Sequence, residues 1–248
     1  MIIKWIWSLK LFISYCVFAQ CSVFAQDLYL RDNLYKANPG DYIVIAFNNT
    51  NTVMHIRQQR DNLLTVEEIS TPEIKRSADF SWKEWVRLNA PGHTNWVMYE
   101  IDLKTAKMIR YYSFSKQNWY EIPDNDNFLS KLLNLKLIKI PENMRKKIGP
   151  KVDNEFDMRA IWQPQMIVEG SRIPGTLFDA WRTKWPRDAS ELSGKTIEIY
   201  TPQSGNAYFP HWLQIHGVLG KAKIRVIDSG SGLSSPKPPL PNEHKQEL

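Results

Sequence analysis

Residues 41–70 read DYIVIAFNNTNTVMHIRQQRDNLLTVEEIS. In Asp41–Asn48, Ile43, Ile45 and Phe47 alternate with Tyr42, Val44 and Ala46. Successive side chains of a strand point to opposite faces, so this strand is apolar on both sides and needs cover on both. Asn48-Asn49-Thr50-Asn51 is turn chemistry, and Asp61-Asn62 is a second turn. Thr52–Arg60 and Leu63–Ser70 therefore read as the second and third strands of an antiparallel meander. The adjacent acids Glu67 and Glu68 fall on opposite faces of the third strand, which argues against a shared acid/base site.

The pattern continues outward from this meander. Ser81-Trp82-Lys83-Glu84 is a capping box, with Trp82, Trp85 and Val86 on one helical face and Ala90-Pro91-Gly92 as the stop. Residues 94–102 and 107–115 read as a hairpin, 126–135 as a helix with Leu129, Leu132 and Leu133 as its stripe, and 136–140 as a short strand. Ile161–Val168 is expected to be a strand edged by Pro164. Thr176–Trp185 is expected to be a helix with Phe178, Trp181 and Trp185 on one face. Strands at 195–201, 212–217 and 221–228 close the pattern. The fold class that follows is α+β and β-rich: a curved antiparallel sheet, or incomplete β-barrel, with covering helices.

The first 25 residues carry Lys4, Lys10 and no acid, then the apolar run Leu11–Ala19, then Val23-Phe24-Ala25. A basic start, a short apolar stretch and an A-x-A-like end make a cleavable signal peptide, interrupted too often by polar residues for a membrane span. An alternative is lipidation at Cys21, for which Gln20 is a large preceding residue. The expected organisation is a signal peptide at 1–25, one β-rich domain at 26–230 and a disordered Pro/Ser/Gly-rich tail at 231–248. That places the protein outside the cytoplasm, periplasmic or outer-membrane-associated. Both cysteines, Cys16 and Cys21, lie in the leader, leaving the domain no disulfide and no thiolate. Without the two leader lysines the formal charge falls from +6 to +4, and the basic residues are scattered among acids. No nucleic-acid partner is expected, while peripheral contact with an anionic membrane remains open.

Local motifs for catalysis are absent. There is no G-x-S-x-G, H-E-x-x-H or P-loop, and no cofactor is expected. Asp124-Asn125-Asp126-Asn127 begins like a calcium loop, but Phe128 and Leu129 replace an oxygen ligand and the required glycine, so a helix cap explains it better. His211 and His216, five apart on one strand, point to opposite faces and make poor co-ligands.

Phe209–Ile215 followed by Lys221–Asp228, the hairpin in Asn95–Phe114 and the Gly40–Ser70 meander together resemble periplasmic lipoprotein-carrier proteins of the LolA/LolB-like kind. Residues 141–194 have no counterpart in that pattern. The resemblance implies an incomplete barrel whose concave, apolar side holds acyl chains beneath helices. It also gives a role to the aromatic residues as a lid and lining: Trp82, Trp85, Trp96, Phe178, Trp181, Trp185 and Trp212. The function expected is therefore non-catalytic binding of an apolar ligand, a lipid or a lipoprotein acyl chain, in the bacterial envelope. Two alternatives stand beside it: an envelope protein–protein interaction module, betrayed by a flat exposed patch, and a hydrolase with a dispersed site, betrayed by titratable groups converging in a cleft.

Overall fold

A computed structural model describes residues 28–122, 127–151, 156–204, 208–217 and 220–239. The expected signal peptide, both cysteines and residues 240–248 lie outside these. The strands are β1 (Leu28–Tyr29), β2 (Tyr42–Phe47), β3 (Thr50–Arg60), β4 (Leu63–Pro72), β5 (Asn95–Asp102), β6 (Lys107–Ser113) and β7 (Asn118–Glu121) in the first half. The second half supplies β8 (Lys136–Lys139), β9 (Met166–Val168), β10 (Ser171–Ile173), β11 (Phe178–Lys184), β12 (Thr196–Pro202), β13 (Trp212–Gly217) and β14 (Gly220–Gly230). Two short α-helices, α1 (Trp82–Arg87) and α2 (Phe128–Leu133), and a 3-10 helix at Leu30–Lys36 pack on the strands.

Twelve strands form one antiparallel sheet in the order β1-β8-β11-β12-β13-β14-β2-β3-β4-β5-β6-β7, and β9–β10 form a separate hairpin. The sheet is two meanders placed edge to edge: β2–β7 run outward in chain order, and the C-terminal strands run back to meet them where β14 pairs with β2. Asn48 and Asp61, which tolerate the left-handed region, adopt φ of 52° and 46° at the first two hairpin turns. Register shifts between Ile56 and Gln58, Glu100 and Ile101, and Val226 and Asp228 mark irregularities that add local twist. The sheet curves without closing into a barrel.

Both faces of the central strands are apolar and both are covered. On the concave side Ile43, Ile56, Leu64, Ile197 and Leu213 join a core roofed by Leu30 and Leu34, by Leu132 and Leu133 of α2, and by Tyr208 and Phe209. On the convex side Tyr42, Val44, Val53 and Ile69 pack against Trp82, Trp85 and Val86 of α1. The Ser81 side chain caps α1 by accepting from the Glu84 N–H at 3.2 Å, as its capping pattern leads one to expect. A third cluster around Phe178, Ala180 and Tyr200 is packed by Trp162 and Trp212.

Three expectations need correction. Residues 176–185 are not a helix: Phe178–Lys184 is β11, paired residue for residue with Lys184↔Thr196 through Phe178↔Pro202 of β12. The i, i+3, i+7 aromatic spacing mimicked a helix, but the unpaired edge of β12 and the strand preference of Phe, Trp and Thr decided the outcome. Of Ile161–Val168 only Met166–Val168 is strand, beyond Pro164, while Ile161 makes an isolated bridge to Lys147.

The third correction concerns the tail. Over residues 231–239 it is packed rather than loose: Leu233 is 3 % exposed and belongs to the convex core. The Ser235 hydroxyl donates to Glu67 at 2.7 Å, and an Arg57 NH2 group donates to the carbonyls of Lys237 and Pro238 at 2.9 and 2.7 Å. The proline-rich composition suggested a spacer, yet one buried leucine and a buried carboxylate suffice to anchor it. Truncation after Gly230 is therefore expected to cost about 2–4 kcal/mol, from burial of one leucine and a hydrogen bond to a charged group. Thermal unfolding of the truncated chain checks this, and a melting temperature unchanged within about 2 °C would contradict it.

Candidate functional site

The concave face carries a partly open cavity. Asn127 caps α2 by accepting from the Ser130 N–H at 2.8 Å, and the Ser130 hydroxyl accepts from the Met108 N–H of β6 at 2.9 Å. Lys131 on the same helix bonds Asp188 at 2.5 Å, and the Trp185 indole donates to the same carboxylate at 3.1 Å. Phe128 stacks on Trp185 with centroids 5.4 Å apart. These contacts fix the position of α2 against the sheet. A cavity of about 250 Å³ lies between them, walled by Ile45, Met54, Leu129, Leu132, Phe209 and Leu213.

Three polar side chains interrupt this apolar lining: Thr52, Glu68 and Tyr99. Glu68 stands between Met54 and Val97 on the concave face. Burial pushes its carboxyl pKa above the usual carboxylate range, although the Asn95 and Ser70 side chains beside it pull the other way. Tyr99 lines the same cavity, is only 2 % exposed, and its buried hydroxyl has no hydrogen-bond partner among the described residues. Burial, and then the Glu68 charge, push the phenol pKa well above its ordinary value. A phenol left unpaired in a native interior is uncommon, because its desolvation is uncompensated.

A second, polar groove of about 500 Å³ lies on the other side of the sheet, between α1 and the β9–β10 turn. Asp228 at its floor is 5 % exposed, and one carboxylate oxygen accepts from the N–H groups of Gly170 and Ser229 at 3.1 and 2.9 Å. Burial, reinforced by Glu169, raises its pKa against those hydrogen bonds and Arg76. The Arg76 guanidinium lies 3.8 Å over the Trp82 ring, donates to the Phe80 carbonyl and leaves a buried Nε without a partner. Lys83 and Glu169 pair across the groove at 2.5 Å. Its lining contains no His or Cys, and its one serine hydroxyl, Ser81, is engaged as the α1 cap. Polar recognition is within its means, but no nucleophile–base pair is assembled there.

The seven aromatic residues singled out in the sequence do not converge on one site. Trp82, Trp85 and Trp96 belong to the convex core, Phe178 and Trp212 to the third cluster, and Trp185 to the concave core with Trp181 packed against it. None lines the concave cavity; Trp185 touches it at one remove through Phe128. The lid over the concave face is α2 with Phe209 and Pro210, not the helix at 81–89 or the segment 176–185. The residues that do line it were missed because they come from seven separate segments. The available signal was Glu68, an acid on the face of β4 that also carries the buried Leu64 and Val66.

A family model described as CT021 protein matches residues 52–174, just under half of the chain. No curated protein matches it. Among solved structures, that of the hypothetical protein CT021 from Chlamydia trachomatis is similar with a TM-score of 0.65 and 23% identity, covering 88% of this chain and 99% of that one. The likeness is one of fold, and it runs through nearly the whole length of both chains.

Proposed function

We propose that the protein is a non-catalytic binding protein of the bacterial envelope that holds an apolar chain in its concave cavity. The observation that carries this reading is the cavity itself: about 250 Å³, walled by aliphatic and aromatic side chains, with few polar groups. Sites of this composition suit elongated apolar ligands, for which removal from water supplies the affinity. The signal-peptide pattern of residues 1–25 supports the envelope setting. A resident lipid or a lipoprotein acyl chain is the proposed cargo.

The test is isothermal titration with 1-decanol, comparing the wild-type chain with Leu129→Trp. Leu129 is only partly buried and faces the cavity from α2, so the larger ring fills the space with little effect on the core beneath. Saturable binding that weakens at least tenfold in the variant, with a melting temperature within a few degrees of wild type, is expected. Equal binding by both proteins would place the ligand elsewhere and defeat the reading.

A further inference from the structure

From Tyr99 and Glu68 in the cavity wall we infer the headgroup its ligand carries: an uncharged hydroxyl, as in a fatty alcohol or a monoacylglycerol, rather than a carboxylate. This rests on the reading of the cavity as an apolar-chain site. Tyr99 offers a buried O–H with no acceptor among the described residues. Glu68 offers a carboxyl on the same wall, close enough for its charge to act on the Tyr99 phenol. A ligand hydroxyl answers both, since its oxygen accepts from Tyr99 while its hydrogen is donated to Glu68. A ligand carboxylate would accept from Tyr99 but bring a second negative charge beside Glu68.

No cation offsets that repulsion within the cavity, because its remaining lining is Ile, Phe, Thr, Met, Leu and Pro. Thr52 is the one other hydroxyl on the wall, and it is already hydrogen-bonded to Ser70 at 3.0 Å. The Tyr99 phenol makes no hydrogen bond among the described residues. Its desolvation is compensated when a ligand hydroxyl arrives, which favours a ligand bearing a polar head over a plain hydrocarbon.

The experiment is a set of titrations of the full domain at neutral pH with 1-decanol, decanoate and decylammonium, repeated with Glu68→Gln and Tyr99→Phe. Decanol is expected to bind wild type at least tenfold more tightly than decanoate. Glu68→Gln, which removes the charge but keeps a hydrogen-bonding amide, is expected to bring decanoate within about threefold of decanol. Tyr99→Phe is expected to weaken decanol by about three- to tenfold, the range of one hydrogen bond. Decanoate binding wild type as tightly as decanol would overturn the headgroup assignment while leaving the apolar site standing. Decylammonium binding more tightly than decanol would overturn it too, by making Glu68 the counter-ion of a cation. If none of the three probes bound, the apolar-site reading and the headgroup assignment would fall together.

Discussion

Replacing Glu67 by Ala is expected to destabilise the protein by about 3–5 kcal/mol. Glu67 is 0 % exposed and answers four side chains at once. One oxygen accepts from the Trp96 indole at 2.9 Å, the Ser235 hydroxyl at 2.7 Å and Arg57 at 3.3 Å; the other meets His55 Nδ1 at 2.9 Å. Removing it takes the carboxylate from buried His55 and from largely buried Arg57 and breaks the Ser235 contact of the tail. Burial alone would raise the Glu67 pKa, but hydrogen bonds from His55, Ser235 and Trp96 and the His55 charge outweigh it and hold the pKa below the usual value. A carboxylate with a depressed folded pKa contributes stability that is present above its unfolded pKa and lost as pH falls through the folded one. Glu67→Gln should therefore be less stable than wild type at neutral pH, and the gap should narrow as pH falls below about 4.3, the unfolded carboxyl's value, towards the lower folded one. Urea unfolding from pH 3 to pH 7 reads both results. Parallel curves for the two proteins across that range would mean the carboxylate charge plays no part in the latch.

Trp85→Ala is expected to have an effect of similar size on the convex side. Trp85 is 0 % exposed, meets Trp82 edge to face at 5.7 Å, and donates its indole N–H to the Pro91 carbonyl at 3.0 Å. Truncation leaves a large void between α1 and the Val44/Val53/Ile69 surface and orphans that carbonyl. Losses for buried Trp of this kind run to about 3–5 kcal/mol. In a chain of this length that lowers the melting temperature by roughly 10 °C or more. Scanning calorimetry of the variant checks it. A loss below about 1 kcal/mol would mean that α1 is not structurally coupled to the sheet. Binding of an alkyl probe in the concave cavity should survive, since the two cores lie on opposite faces.

The strands were legible because their chemistry repeats at the period of the backbone. Tyr42 and Val44 do face the convex core, and Ile43 and Ile45 the concave one, as their alternation requires. The same rule separated Glu67 from Glu68: one lies under the tail on the convex side, the other in the cavity wall. Where a segment satisfied two periods at once, pairing decided. Phe178, Trp181 and Trp185 fit a helix, yet Phe178–Lys184 completes the edge of β12. The tail escaped notice for a different reason. Its attachment rests on Leu233 joining a core built largely from residues 42–96 and on Ser235 reaching Glu67, 168 residues away, and no local pattern encodes such a partner. The cavity was hidden likewise, since α2 contributes three lining residues and β3, β5 and β13 only one or two each.

The central claim is that an apolar chain occupies the concave cavity, and methyl-resolved NMR tests it most directly. In a chain labelled at Ile, Leu and Val methyls and titrated with 1-decanol, saturable shifts should concentrate at Ile45, Leu129, Leu132, Leu213 and Ile224, which line the cavity. Val44, Val53 and Val86, in the convex core, should stay in place. Shifts centred instead on Ile167 and Ile227, which border the polar groove, or no saturable shift at all, would contradict it.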